Sequence, residues 1–467
     1  MTNRKTEVVV IGGGPGGYVA AIRLGQLGKK VLLVEKENLG GVCLNVGCIP
    51  SKALITAAKR VAKIKEASKM GITIQGLHID FGKMLQWKGD IVKKLTSGVA
   101  QLCQGNCAEI LYGVAKFRTA NQIDVQTKDG SEVVEADHCI IATGSLPIQI
   151  PGFAFDGERV ISSTEALSLP RIPEKLVVIG GGYIGLELGI MYAHLGAQVT
   201  IVEMMAQLLP GFDPEIVKVI NQSLKKKGIP FFVNARATRY EKTDTGVRVY
   251  VENAGKEQVL EGDHVLVTVG RRPNSEGLNL AAAGVAVDSH GFIAVDKQLR
   301  TGTPNIFAIG DVAGNPMLAH KASKEGEVAA EVIAGRNATR DYKAMPAVIF
   351  TDPEVATVGL SAAEATASGR EIRTGKFWFA ASGRALTTGD TDGFIKVIVD
   401  AKSHEVLGLA IVGPEASDLI SEATLALEMG AYAEDIGLTV HAHPTLGESV
   451  MEAARLAIGE AIHAVNR

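Results

Sequence analysis

Cysteine is scarce in this chain. Five in 467 residues is an odd and low number for a secreted scaffold held by disulfides, so a reducing, cytoplasmic setting is expected. Basic tracts are missing too, and with a net charge of −3 nucleic acid is not an expected partner. No uninterrupted apolar run reaches membrane-spanning length, so no membrane insertion is expected. The N-terminus, MTNRKTEVVVIGGG, runs straight into a strand without a cleavable apolar stretch. Low-complexity sequence is absent, and the 53 glycines gather at tight turns. What remains, 46% apolar and 21% charged residues, fits a soluble globular protein of about three domains.

The glycines carry the first positive signal. Glu7 to Ile11 reads as a buried parallel strand and opens into Gly12-Gly13-Gly14-Pro15-Gly16-Gly17. That run fits G-x-G-x-x-G at Gly12, Gly14 and Gly17. A helix from Tyr18 to Leu27 and a second strand, Lys30 to Val34, ending at Glu35, are expected next. Strand, glycines, helix, strand and terminal acid together describe a dinucleotide-binding unit. Its bare backbone and helix N-terminus receive a pyrophosphate, and its acid accepts hydrogen bonds from a ribose. The design recurs at Lys175 to Ile179, with Gly180, Gly182 and Gly185, a helix carrying Glu187, and a strand from Gln198 to Val202 ending at Glu203. Two units suggest two redox nucleotides, one of them a flavin. Glu203 suits a free ribose 2′-hydroxyl, and no arginine occurs from Met204 to Phe212, so NAD is favoured over NADP.

Each unit closes on a similar signal, Ile140 to Gly144 (with Thr143 and Ser145 beside the turn) and Val265 to Gly270. A third, Thr301 to Val312, presents Asp311 after an apolar strand, where a carboxylate can meet a polyhydroxyl chain. Beyond Asp341 the alternating runs Phe394 to Val399 and Val406 to Val412 read as an antiparallel sheet flanked by helices over Ala416 to Met429 and Ser449 to Ala464.

Two clusters allow more than one reading. In Gly40 to Lys52, GGVCLNVGCIPSK, Cys43 and Cys48 enclose four residues. A disulfide over so small a loop removes little unfolded-chain entropy, which points to redox chemistry, although two buried free thiols would have the same spacing. Pro50 suits a first helical turn, which would put Cys48 near a helix N-terminus and Lys52 one turn on, both favouring a thiolate. In His441 to Glu448, HAHPTLGE, Thr445 and Glu448 spell a capping box for the final helix. The alternative is that Glu448 orients His443 as a proton acceptor for a thiol. Cys103 and Cys107, at i and i+4 of an expected helix without a histidine to complete a metal site, read with Cys139 as core thiols.

Together GGVCLNVGCIPSK, GGGYIGLELG, TGTPNIFAIGDVAG and HAHPTLGE resemble the flavin-dependent disulfide reductases over essentially the whole chain, in their dihydrolipoamide-oxidising branch. The resemblance implies an α/β fold with two Rossmann-like dinucleotide-binding domains, for FAD (1–150) and NAD (151–275). A central segment (276–345) would complete the FAD site, and a C-terminal α+β domain (346–467) would form a homodimer. It implies that Cys43 exchanges with substrate, that Cys48 faces the flavin, and that Lys52 lies near the reactive flavin nitrogen, paired with Glu187. His443 becomes the base and Glu448 its partner, acting across the dimer. Gly113, Asp311 and Met317, Leu318, Ala319 and His320 would contact FAD, and Ala237 the NAD adenine. The partner it implies is the lipoyl domain of a 2-oxo acid dehydrogenase complex or a lipoyl carrier protein. Val42 stands where threonine is common in the family, and Tyr183 is shared with glutathione reductases, which are the alternative along with a scaffolding subunit.

Overall fold

The computed structural model describes residues 2–466. Its first sheet is organised around the strand Thr2–Ile11. Val31–Glu35 and then Ala108–Tyr112 lie on one side and Gly130–Ile141 on the other, all parallel. Val8, Val9, Val10, Leu33, Ile140 and Ile141 are fully buried, as a sheet covered on both faces demands. A fifth parallel strand, Ile306–Ala308, arrives from far along the chain and pairs with the end of Gly130–Ile141. On the edge away from Thr2–Ile11 that long strand serves two partners, because its first half pairs antiparallel with Gln122–Thr127.

The second unit repeats the plan. Lys175–Ile179 leads into the helix Tyr183–Leu195, and Gln198–Val202 and His264–Val267 flank the first strand in parallel. An antiparallel sheet of Ala235–Lys242, Val247–Asn253 and Lys256–Gly262 is inserted before the last of these. A short antiparallel ribbon, Ser145–Pro147 against Arg271–Pro273, joins the two units. The remaining sheet is antiparallel, in the order Ala347–Ile349, Glu354–Gly359, Val406–Gly413, Phe394–Asp400, Ile372–Trp378. The helices Ala416–Met429 and Glu448–Ile458 cover it.

Four expectations are corrected. The first helix begins at Pro15, not Tyr18, because proline's fixed φ suits a first turn. The last helix is Glu448–Ile458 and stops at Gly459 in the left-handed region (φ 78°), short of Ala464. Cys107 is no core thiol: the helix Phe81–Gly105 ends before it, its φ is 59°, and it is exposed, whereas Cys103 and Cys139 are buried. Finally, the stretch Gly41–Met70 does have the length and mean hydropathy of a membrane-crossing helix. It is interrupted at Gly47, and its lysines are bound by acids from the other two parts of the chain, Lys52 by Glu187 and Lys59 by Glu354. Those ion pairs make it an interdomain helix.

One close approach controls the last helix. A Cβ on Gly375, in the strand Ile372–Trp378, would fall 2.0 Å from the Ala453 carbonyl oxygen and 2.3 Å from the Ala457 nitrogen. Gly375→Ala is expected to lift that helix and cost about 1–3 kcal/mol or more as an overpacked site. Thermal melting followed by circular dichroism checks it, and an unchanged midpoint would show that the helix is free to move.

Candidate active site

Both glycine turns have the same geometry. Gly12 and Gly180 have φ of 104° and 108°, and a Cβ on either would lie 2.5 Å from a carbonyl oxygen of the neighbouring strand end, Ala142 or Thr268. A Cβ on Gly17 would meet the Gly12 oxygen at 1.8 Å, and one on Gly185 the Gly180 oxygen at 2.0 Å. These four are glycines because the turn packs against itself. Gly14 and Gly182 differ. They cap the following helices with nothing closer than 3.8 Å and within 4 Å respectively, leaving bare backbone at a helix N-terminus. That is the shape a pyrophosphate needs. The acids match as well. Glu35 accepts the N–H groups of Gly13 (2.7 Å) and Glu37 (2.8 Å), and Glu203 those of Gly181 and Met205 (2.7 Å each). Each carboxylate keeps lone pairs for a ribose. The chain therefore offers two cradles that fit FAD and NAD.

The redox segment lies against the first cradle. Gly40 (φ 90°) donates its N–H to the Gly13 oxygen at 2.7 Å, and a Cβ on Gly41 would meet the Gly14 Cα at 2.7 Å. The Asn45 amide ties this turn down by donating to the Leu39 and Gly41 carbonyls, 2.9 Å each. Cys48 is the first residue of the helix Cys48–Glu66. Both cysteines are free, Cys43 half-buried and Cys48 exposed. The neighbouring Cys43 sulfur holds Cys48 below the ordinary thiol range, with support from the Lys52 charge and against the effects of desolvation and Glu187. The same neighbour, followed by burial, pushes Cys43 up. A helix N-terminus beside a lysine is where a thiolate is favoured.

Lys52 is held from two sides. Its Nζ is 2.8 Å from Glu187 Oε2 and 4.6 Å from the centre of the Phe350 ring. Glu187, 4% exposed, also accepts the Phe350 N–H at 2.8 Å through Oε1. Phe350 belongs to neither cradle and carries no motif by which a sequence could reveal it. Beside Glu187 lies a cavity of about 20 Å³, lined in part by Lys59, His194, Asp352 and Glu354, with room for one water.

The turn bearing Asp311 is braced by groups the motifs do not announce. Asp311 accepts a hydrogen bond from Ser145, whose hydroxyl in turn accepts from Arg271 Nε at 2.8 Å. Thr143 donates to the Asn274 carbonyl at 2.7 Å, and the Gly144 carbonyl accepts the Asn274 N–H at 2.9 Å. Underneath, Lys321 and Glu325 are fully buried, 3.1 Å apart, and Glu325 accepts the Gly310 N–H at 2.8 Å. Their i, i+4 spacing was the available clue. Gly113 is bound through its N–H to the Glu35 carbonyl at 2.9 Å. Met317 and Leu318 lead into the helix Ala319–Ile333, and His320 bonds through Nε2 to the Pro346 carbonyl at 2.8 Å. On the NAD side, Ala237 sits at a bulge of the strand whose first residue, Ala235, docks on the Glu203 carbonyl. Gly270 (φ 128°) turns the chain into the connecting ribbon.

His443 and Glu448 meet, with 2.8 Å between Nδ1 and Oε1. Glu448 Oε2 simultaneously accepts the Thr445 N–H at 2.8 Å. The orienting contact is present, whereas the expected capping box is not formed: the helix starts at Glu448 behind Gly447 without a side-chain cap, and Glu448 ties back to the loop at Thr445. Those two bonds, the Thr445 one first, hold the Glu448 carboxyl below its usual range. The Thr445 hydroxyl donates to the Ala442 carbonyl instead of completing the box. The His443 side chain is 80% exposed, and among the described residues no hydrogen bond links it to Cys43 or Cys48.

Comparison with known proteins agrees with this geometry. The pyridine nucleotide-disulphide oxidoreductase family matches residues 6–326, and its dimerisation domain matches residues 345–454. The dihydrolipoyl dehydrogenase of Geobacillus stearothermophilus is 51% identical over 463 residues, covering 99% of this chain and 98% of that one. That of Halobacterium salinarum is 48% identical over 466 residues, with the same coverage. Among solved structures, LpdA of Mycobacterium tuberculosis superposes with a TM-score of 0.90 at 27% identity, covering 97% of this chain and 99% of that one. The flavoprotein disulfide reductase RclA of Escherichia coli gives 0.86 at 29% identity, covering 96% and 99%. With two cradles, a paired-cysteine helix start and a dimerisation domain along one chain, this protein belongs to the pyridine nucleotide-disulphide oxidoreductase family.

Proposed function

We propose that the protein is a dihydrolipoyl dehydrogenase. It oxidises a dihydrolipoyl group, carried on the lipoyl domain of a 2-oxo acid dehydrogenase complex or on a lipoyl carrier protein, and reduces NAD⁺ in the cytoplasm. The observation that carries this reading is the Cys43–Cys48 pair at a helix start, with Lys52 one turn on and fixed by Glu187. Full-length relatives near 50% identity bearing that name support it. Glutathione reduction, to which Tyr183 points, is opposed by Glu203, whose carboxylate would repel a 2′-phosphate.

In the mechanism, His443 takes a proton from one substrate thiol while Glu448 fixes its tautomer and stabilises the imidazolium. The substrate thiolate attacks Cys43 in the Cys43–Cys48 disulfide. Cys48 leaves as a thiolate, stabilised by Lys52 and the helix N-terminus. The second substrate thiol attacks the mixed disulfide, forming the cyclic disulfide, and its proton goes to the departing Cys43 sulfur, while His443 keeps the first proton until it is released to solvent. Bound FAD and NAD⁺ supply the path by which the two electrons leave the dithiol. His443 of one subunit serves the cysteines of the other, which accounts for its exposure in a single chain.

Three outcomes are expected. Cys43→Ser and Cys48→Ser should each abolish dihydrolipoamide oxidation while FAD stays bound, and full activity in Cys43→Ser would overturn the mechanism. NAD⁺ should exceed NADP⁺ in kcat/KM, with Glu203→Arg narrowing the gap; a native preference for NADP⁺ would remove the role of Glu203. His443→Gln should slow dihydrolipoamide oxidation at least about 100-fold, the lower end of general-base effects, and spare NADH oxidation by an artificial acceptor. Equal losses in both assays would make His443 structural.

A further inference from the structure

The segment Phe350-Thr351-Asp352 belongs to the part of the chain matched by the dimerisation domain, yet its contacts are with the redox machinery. Phe350 gives its N–H to Glu187 and lays its ring 4.6 Å from the Lys52 ammonium. Asp352 anchors the segment from the other end. Its carboxylate lies 3.2 Å from both His194 Nε2 and Lys227 Nζ, and its carbonyl accepts from Ser223 (2.6 Å) and Lys227 (2.9 Å). The helices carrying Glu187 and Ser223 are therefore both gripped by three residues of another domain.

We propose that Phe350 is a positioning residue, which sets the Cys48 thiolate by fixing Lys52 and drawing charge from Glu187. The proposal deepens the dihydrolipoyl dehydrogenase reading and rests on it for its role in turnover. Cys43 and desolvation act most strongly on Cys48, and two opposite charges act beside them, one of them Lys52, a turn on in the same helix. Lys52 favours its thiolate and Glu187 disfavours it. Lys52 already shares its charge with Glu187 at 2.8 Å, so a second partner keeps the ammonium from turning wholly toward that carboxylate. The face of an aromatic ring attracts an ammonium and gives it a second, directional partner. The Phe350 N–H meanwhile takes one Glu187 oxygen, leaving only the other for Lys52. The backbone bond survives substitution, whereas the ring does not, so the two contributions are separable. The other charged groups around this junction are Lys59, His194, Asp352 and Glu354, with Cys43 on the thiolate side.

The test measures the thiolate without requiring turnover. In holoenzyme carrying Cys43→Ser, the rate of Cys48 alkylation by iodoacetamide is followed against pH by mass spectrometry. Phe350→Leu, or Phe350→Met should the first variant not fold, removes the ring and keeps the N–H. Either should move the alkylation midpoint to higher pH by about half to one unit, the size expected of one cation–π contact. Phe350→Tyr should restore it. In a Lys52→Met background the same ring deletion should have no effect. An unchanged midpoint in the ring-deleted variants, or an equal shift with Lys52 absent, would overturn the proposal. Failure of NADH to reduce the wild-type Cys43–Cys48 pair would instead sink the functional reading, and the alkylation profile would still report on Phe350.

Discussion

The ion pair between Lys52 and Glu187 is the constraint on which the rest depends. It joins the helix that begins at Cys48 to the helix that follows the second glycine turn, and Phe350 closes it from a third part of the chain. Burying two charges costs several kcal/mol of solvation, so such a pair is weak evidence of stability. Removing one partner is a different matter: it leaves a buried charge without compensation, at about 3–5 kcal/mol. The pair is better understood as a register device. It fixes the distance between the thiolate and the two cradles, and it only does so when all three parts are docked. Further lysines of the same helix repeat the idea with more exposed partners, Lys59 with Glu354 and Lys63 with Asp390.

The first sheet shows why the docking must be firm. Its fifth parallel strand, Ile306–Ala308, is supplied only after the chain has built the entire second unit. Asp311 follows directly, so one end of the first site is delivered by a return crossing. The ribbon of Ser145–Pro147 and Arg271–Pro273 sets where that crossing begins. The buried Lys321–Glu325 pair, with Arg340 Nη1 3.3 Å from Glu325, fixes where it ends. Polar groups this deep are tolerated because each has partners: Lys321 also donates to the Gly310 and Gly314 carbonyls.

Much of this was legible in the residues. Glycines demanded by self-packing, as at Gly17 and Gly185, impose a fixed spacing, and an acid at the end of the second strand follows from it. The cysteine pair was legible because its short loop has little other purpose. What escaped has a common physical character. Phe350 and Asn274 act through backbone groups or one ring face, and Arg271 through a side-chain bond to Ser145, 126 residues away, so no spacing marks them. Cys107 was misplaced because two residues, Gly105 and Asn106, end the helix just before it. The apolar character of Gly41–Met70 misleads for a similar reason: its charged partners lie more than a hundred residues away.

The histidine end of the chain is the one place where a single copy is plainly incomplete. His443 is fixed by Glu448, Glu448 by Thr445, and the helix they open by its seat over Gly375, so its direction is determined. Yet it points to solvent, and in the residues just before it Leu438 and Val440 are 80% and 96% exposed. A rigid base among bare apolar side chains has no use in water. The matched dimerisation domain supplies the resolution, because a second copy would cover those side chains. On the mechanism above, the pairing also carries His443 to the other subunit's cysteines. The Lys52–Glu187 pair and the dimer contact then hold the two halves of one reaction: the first places the thiolate, the second brings the base. On the proposed mechanism neither half acts alone, which makes the dimer the smallest unit in which the chemistry is whole.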